Sequence, residues 1–120
     1  MANDASSQPT VLIVDDDPIV RMIAVDFVEA SGFLTVEANN ADEAIAILES
    51  RSDIGSLVTD VAMPGSMDGI GLALAVHERW APMKIVVVSG AVRPSKADLP
   101  PRSRFLQKPY TSDALVASLG

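Results

Sequence analysis

Short apolar runs rich in β-branched residues alternate along this chain with stretches whose apolar positions recur every three or four residues. Residues 11–14, 33–38, 56–59, 84–89 and 104–107 have the first pattern and predict strands. Val11-Leu12-Ile13-Val14 and Ile85-Val86-Val87-Val88 are apolar without a break, as expected of central parallel strands covered on both faces. The stretches between carry helix signals. Asp17 is placed to cap a first helix, with Pro18 at its first position, Ile19, Ile23 and Phe27 at helical spacing, and Gly32 just past its end. Asn40, with Glu43 three residues on, forms a variant of the capping box ahead of Ala44, Ile47 and Leu48. A third helix over residues 70–80 presents Leu72, Val76 and Trp80 and stops before Pro82. Thr111 or Ser112 caps a last helix carrying Leu115 and Leu119.

The alternation predicts one α/β domain built from repeated βα units. It breaks once, at residues 91–103, where a fourth crossover helix is due. Pro94, Pro100 and Pro101 leave only residues 95–99 free, so a loop or a single turn is expected there. Residues 1–10, rich in Ala, Ser, Asn and Gln, have little to bury and are expected to form a disordered tail ahead of a domain over residues 11–120.

In a parallel sheet the carboxyl ends of the strands share one edge, and ligands bind in the crevice outside it. Asp15 and Asp16 follow the first strand, Asp60 follows the third, Ser89 ends the fourth, and Lys108-Pro109 follows the fifth. Carboxylates gathered at one edge repel: two like charges ~4 Å apart cost on the order of 4 kcal/mol at an effective dielectric of about 20. A hard divalent cation answers that repulsion. Mg²⁺ takes one or two carboxylates, keeps waters and completes its shell with phosphate oxygens. The adjacent Asp15 and Asp16 suit the metal. Asp60, alone at a central strand end and followed by the turn-rich Met63-Pro64-Gly65 and Asp68-Gly69, suits a carboxylate nucleophile for phosphoryl transfer. Lys108 can offer a point charge and Ser89 a hydroxyl hydrogen bond to phosphoryl oxygens.

The charge balance narrows the partners. A net charge of −7 disfavours direct binding to nucleic acid or to anionic membranes. The absence of cysteine removes disulfides, thiolate metal sites and thiol nucleophiles and fits a reducing compartment. No apolar run approaches ~20 residues and the first residues lack a signal-peptide pattern, so a soluble, cytoplasmic protein without membrane insertion is expected.

In order along the chain, Val14-Asp15-Asp16-Asp17-Pro18, Thr59-Asp60-Val61-Ala62-Met63-Pro64 with Asp68-Gly69, Val88-Ser89-Gly90-Ala91 and Phe105-Leu106-Gln107-Lys108-Pro109-Tyr110 resemble the signatures of the receiver domain of bacterial two-component response regulators. The resemblance implies a flavodoxin-like doubly wound five-stranded parallel sheet in the order 2-1-3-4-5. That order comes from the likeness and not from the sequence pattern. It implies that Asp60 is the phosphoacceptor, that Asp15, Asp16 and Asp60 with the backbone carbonyl of Ala62 hold Mg²⁺, and that Lys108 contacts the phosphoryl group. Ser89 becomes the switch hydroxyl and Phe105 the switch aromatic. The expected donor is a phosphohistidine on a histidine kinase or histidine phosphotransfer protein, and the expected output is a downstream protein partner. On this reading the chain is no enzyme but a phosphoacceptor that assists its own phosphorylation and dephosphorylation. It is either a stand-alone regulator or a receiver from a larger protein such as a hybrid kinase.

Two departures from commoner members stand out. The shortened fourth crossover argues against the dimerisation face that DNA-binding members build around their fourth helix. Ala62 and Ala91, flanking the acceptor, are small and apolar and cannot orient an attacking water. Two other functions compete. A Mg²⁺-dependent phosphohydrolase with an aspartate nucleophile lacks a second carboxylate two residues after Asp60, and a flavin module lacks a Gly/Ser/Thr-rich loop after the first strand. His77, the sole histidine, reads as a boundary residue of the third helix.

Overall fold

A computed structural model describes residues 10–90 and 93–120. The strands are β1 (Thr10–Val14), β2 (Thr35–Ala38), β3 (Ile54–Asp60), β4 (Lys84–Ser89) and β5 (Arg104–Gln107). The helices are α1 (Pro18–Ala30), α2 (Ala41–Ser50), α3 (Gly69–Trp80) and α4 (Ser112–Leu119). All strand pairs are parallel and the order is β2-β1-β3-β4-β5, the expected arrangement.

The period-two alternation of buried strands feeds two cores. Leu12, Val14, Leu57 and Val87 face α2 and α3, where they meet Ala44, Leu48, Leu72 and Val76. Val11, Ile13, Val58, Val86 and Val88 face the other way, against Ala24, Val25 and Val28 of α1 and Leu115 and Leu119 of α4. This two-sided burial explains why β1 and β4 read as unbroken apolar runs.

The caps form largely as the sequence predicts. Asp17 accepts from the amides of Ile19 and Val20, Asn40 from Glu43, Asp68 from Gly71 and Thr111 from Ala114. The reciprocal half of the Asn40 box differs: the Glu43 carboxylate accepts from the amide of Asn39, one residue earlier. Gly32 closes α1 at φ 97°, a left-handed conformation that suits glycine. Among the described residues, the fourth crossover holds one 3₁₀ turn, Lys96–Asp98, closed by a Ser95–Asp98 box.

Four expectations are corrected. β2 begins at Thr35 and not at residue 33. Phe33 instead packs on the α1/α4 core while Leu34 is exposed. β3 extends from Ile54 through Asp60, which puts the aspartate inside the strand. Thr10 belongs to β1, and the rest of the expected tail lies outside the described residues. The buried stripe of α1 is Ala24, Val25 and Val28, whereas Ile19 and Ile23 are 65% and 45% exposed. α1 is apolar on more than one side, so spacing alone allowed two stripes, and the one with smaller side chains lies against the sheet. Phe27 stays half-buried, edge-on to Tyr110 with ring centroids 6.3 Å apart.

Candidate functional site

The strand order reverses direction between β1 and β3, and the carboxyl ends of those strands open a crevice there. Register brings the ends level: Val14 pairs with Thr59, Asp60 with Val88, and Ser89 with Gln107. Residues 93 positions apart therefore meet, and Lys108 Nζ lies 3.1 Å from Asp60 Oδ1 and 3.3 Å from Asp15 Oδ2. One carboxylate oxygen from each of Asp15, Asp16 and Asp60 lies within 4.8 Å of the others. Asp15 and Asp60 are buried, while Asp16 is exposed at the mouth.

Asp15 is held from every side. Its amide donates to the carbonyl of Ala38, its Oδ1 accepts from the amide of Asp17 at 2.9 Å, and its Oδ2 accepts from Lys108. Its carbonyl accepts from Arg21 Nη1 at 2.7 Å. Asp60 is held through its backbone. Its amide and carbonyl lie in the central strand, and Gly69, the first residue of α3, packs directly on its carbonyl. A Cβ at Gly69 would lie 1.8 Å from that oxygen. The amide of Gly69 donates to the carbonyl of Val61, whose own amide donates to Val88. The Asp68-Gly69 step thus sets where β3 ends.

The electrostatics follow from one ammonium facing three carboxylates in a half-closed crevice. Burial pushes the Asp60 carboxyl above the ordinary aspartate range; Lys108 opposes this, and the charges of Asp15 and Asp16 add to it. Burial by itself would lower the Lys108 ammonium, but its hydrogen bonds and its attraction to Asp60 and Asp15 outweigh that and raise it. Lys108 is therefore a permanent cation at neutral pH. Burial likewise raises the Tyr110 phenol.

The remaining predicted residues are placed less tightly. Ser89 is buried at the end of β4, and its carbonyl accepts from the amide of Lys108 at 2.8 Å. Ala62 lies exposed just past β3. Ala91 lies outside the described residues. Phe105 is not in the crevice: it is half-buried in β5 and packs on the α2/α3 core together with Leu99. Sequence reasoning missed Arg21, whose fork joins Asp15 to Glu37 and Asn39, and the exposed apolar group Ile19, Met22 and Ile23 on α1. The signal for Arg21 was faint, a lone cation four residues past the helix cap.

The donor set fits a hard cation. The candidate side-chain ligands are all carboxylate oxygens, and the cluster carries more negative charge than Lys108 neutralises. Among the described residues, no helix is long and apolar enough to cross a membrane.

Comparison with known proteins agrees with this fold. The family model of the response regulator receiver domain matches residues 11–120. The sensor kinase CckA of Brucella abortus is 33% identical over 98% of this chain, which spans 13% of that protein. The C4-dicarboxylate transport transcriptional regulatory protein DctD of Pseudomonas aeruginosa is 29% identical over 94% of the chain, which spans 25% of it. Among solved structures, a response regulator receiver protein from Sinorhizobium medicae superposes with a TM-score of 0.87 at 30% identity, covering 94% of this chain and 92% of that one. The receiver domain of the hybrid histidine kinase CckA gives 0.76 at 28% identity, covering 92% and 99%.

Proposed function

The chain belongs to the response regulator receiver domain family of two-component systems, and on that premise we propose that Asp60 accepts a phosphoryl group from a phosphohistidine on a partner protein. A carboxylate oxygen of Asp60 bonds to phosphorus as the phosphorus–nitrogen bond breaks, and the bonding electron pair returns to the imidazole of the donor. Lys108, already within hydrogen-bonding distance of Asp60 and kept charged by its surroundings, holds an oxygen of the incoming group. Asp15, Asp16 and Asp60, with the backbone carbonyl of Ala62, would hold Mg²⁺. When bound, Mg²⁺ supplies the positive charge that offsets both the carboxylates and the transferring oxygens.

The observation that carries this reading is the convergence of Lys108 on Asp60 and Asp15 with Asp16 beside them. Phosphorylation adds acceptor oxygens next to Ser89, whose hydroxyl then turns to them. A hydrogen bond to a charged group, worth about 1.5–3 kcal/mol, is enough to bias a two-state loop. Phe105 reports that change by repacking at the α2/α3 core.

The donor is a histidine kinase or histidine phosphotransfer protein. Its docking surface includes Ile19, Met22 and Ile23, which are exposed on the helix that starts just after Asp17. Output passes to a downstream protein, without direct contact to nucleic acid, and the reading carries with it a cytoplasmic location. Incubation with Mg²⁺ and acetyl phosphate, followed by intact-mass analysis, tests the core of the proposal. One phosphoryl group is expected on the wild type and none on Asp60→Asn. Equal labelling of the two proteins, or none on the wild type, overturns it.

A further inference from the structure

Asp16 differs from its neighbours in how it is held. Its carboxylate reaches within 4.8 Å of those of Asp15 and Asp60, yet no hydrogen bond or ion pair with a described residue fixes it. Its direction follows from the backbone that carries it and from its own rotamer. The peptide group leading into it is planar, so whatever holds the carbonyl of Asp15 also sets the plane from which Asp16 departs. That carbonyl is held by Arg21.

Arg21 is well placed for this task. Nη1 uses one proton on the carbonyl of Asp15 and the other on Asn39 Oδ1, both at 2.7 Å, while Nε donates to Glu37 Oε1 at 2.8 Å. The side chain is only 13% exposed, although arginine is among the residues least often buried. Its acceptors come from the end of β1, the end of β2 and the residue after it. Asn39 is fixed in turn by the Glu43 carboxylate, which accepts from both its amide and its side chain. A planar fork bonded to three acceptors resists rotation, which a lysine ammonium cannot reproduce.

We propose that Arg21 is a positioning residue for the divalent-cation site, fixing the Asp15–Asp16 peptide so that the Asp16 carboxylate is aimed into the crevice before any ion arrives. This rests on the reading that Asp15, Asp16 and Asp60 hold Mg²⁺. Arg21 acts through geometry and not through charge: its own charge is opposed by Glu37 at 2.8 Å, and a bare cation beside the site would repel the metal. Loss of an outer residue that orients a metal ligand typically weakens binding about 10–100-fold.

Calorimetric titration of Mg²⁺ into the full chain tests this, at a temperature where circular dichroism shows every variant folded. The proteins are wild type, Asp16→Asn, Arg21→Met, Arg21→Lys and the milder Glu37→Gln, which leaves the bond to Asp15 in place. Both Arg21 variants are expected to bind Mg²⁺ about 10-fold or more weakly, Lys failing to rescue, with Glu37→Gln changed less. Wild-type affinity in a folded Arg21→Met overturns the inference and leaves the cation site standing. So does tighter binding by Arg21→Met alongside wild-type affinity in Arg21→Lys, because that pattern is the signature of charge. No binding by wild type overturns the cation reading itself, and the inference with it.

Discussion

The ends of β1 and β3 carry the same side chain and hold it in opposite ways. At the end of β1, both the main chain and the carboxylate of Asp15 are bonded, to Ala38, Arg21, Asp17 and Lys108. At the end of β3 the main chain of Asp60 is clamped by the sheet and by Gly69, but among the described residues its carboxylate has one partner, Lys108. A carboxylate with a bond to each oxygen is held still, which suits a ligand and leaves it little freedom to turn as a nucleophile. One with a free oxygen, raised by burial and backed by a cation, has lone pairs left for phosphorus. The division between holding and reacting is thus written into hydrogen-bond counts rather than residue type.

The harshest test of this contrast strikes the clamp on β3. Gly69→Ala would set a methyl group 1.8 Å from the carbonyl oxygen of Asp60, a backbone atom in a central strand that cannot step aside as a side chain does. Overpacking of this kind is expected to cost about 3 kcal/mol or more, seen in urea unfolding. Phosphorylation by acetyl phosphate should slow even in the fraction that stays folded, because the acceptor moves with its backbone. A variant as stable and as readily phosphorylated as wild type would mean that α3 can slide away from β3 at little cost.

A smaller effect, opposite in sign, is expected at the carboxylate itself. With the Asp60 pKa raised in the folded state, the native protein keeps a proton that the unfolded chain has already lost once pH passes about 4. Stability therefore falls as pH rises between the unfolded and folded pKa values, and the penalty stays constant above the folded one. Asp60→Asn escapes it. In EDTA the variant should match wild type below about pH 4 and exceed it at neutral pH, because burial and the neighbouring carboxylates no longer act on a charge at that position. Added Mg²⁺ should close the gap by stabilising the wild type more than the variant. A pH-independent difference would show that Asp60 is not under electrostatic strain.

How far the sequence foretold these arrangements depends on the range of the interaction. Asp15, Asp16, Asp60 and Lys108 were legible because each stands at or just past the end of a predicted strand, and a parallel sheet gathers such ends at one edge. β4 and β5 were read to the residue, each having a sharp polar or proline boundary. The order of strands came only with the family likeness, since periodicity says where strands are and not which are neighbours. Arg21 was hidden because its acceptors are a backbone carbonyl and two side chains 16 and 18 residues away. The buried face of α1 was misread because Ile19 and Ile23 look like core and Ala24 does not, yet close approach to the sheet favours the small residue. Gly69 was noticed as part of a turn, but its need to be glycine comes from β3, nine residues earlier, and is a fact of packing.

The mildest test concerns Asp17, the third aspartate of the run, which a charge-only view would count with the other two. Its side chain turns away from the cluster to accept from the amides of Ile19 and Val20, while its contribution to Asp15 is made by its backbone amide. Asp17→Ala keeps that amide and loses the cap, so it should lower stability by about 1 kcal/mol. Its exposed charge is screened by salt, so Mg²⁺ affinity and the extent of phosphorylation should change by less than about threefold at 0.15 M ionic strength. A much larger loss of Mg²⁺ binding, with only the expected loss of stability, would make Asp17 a member of the site. The contrast between the two strand ends would then reduce to charge density, because the end of β1 would owe its cation to the number of aspartates there and not to the bonds that hold one of them still.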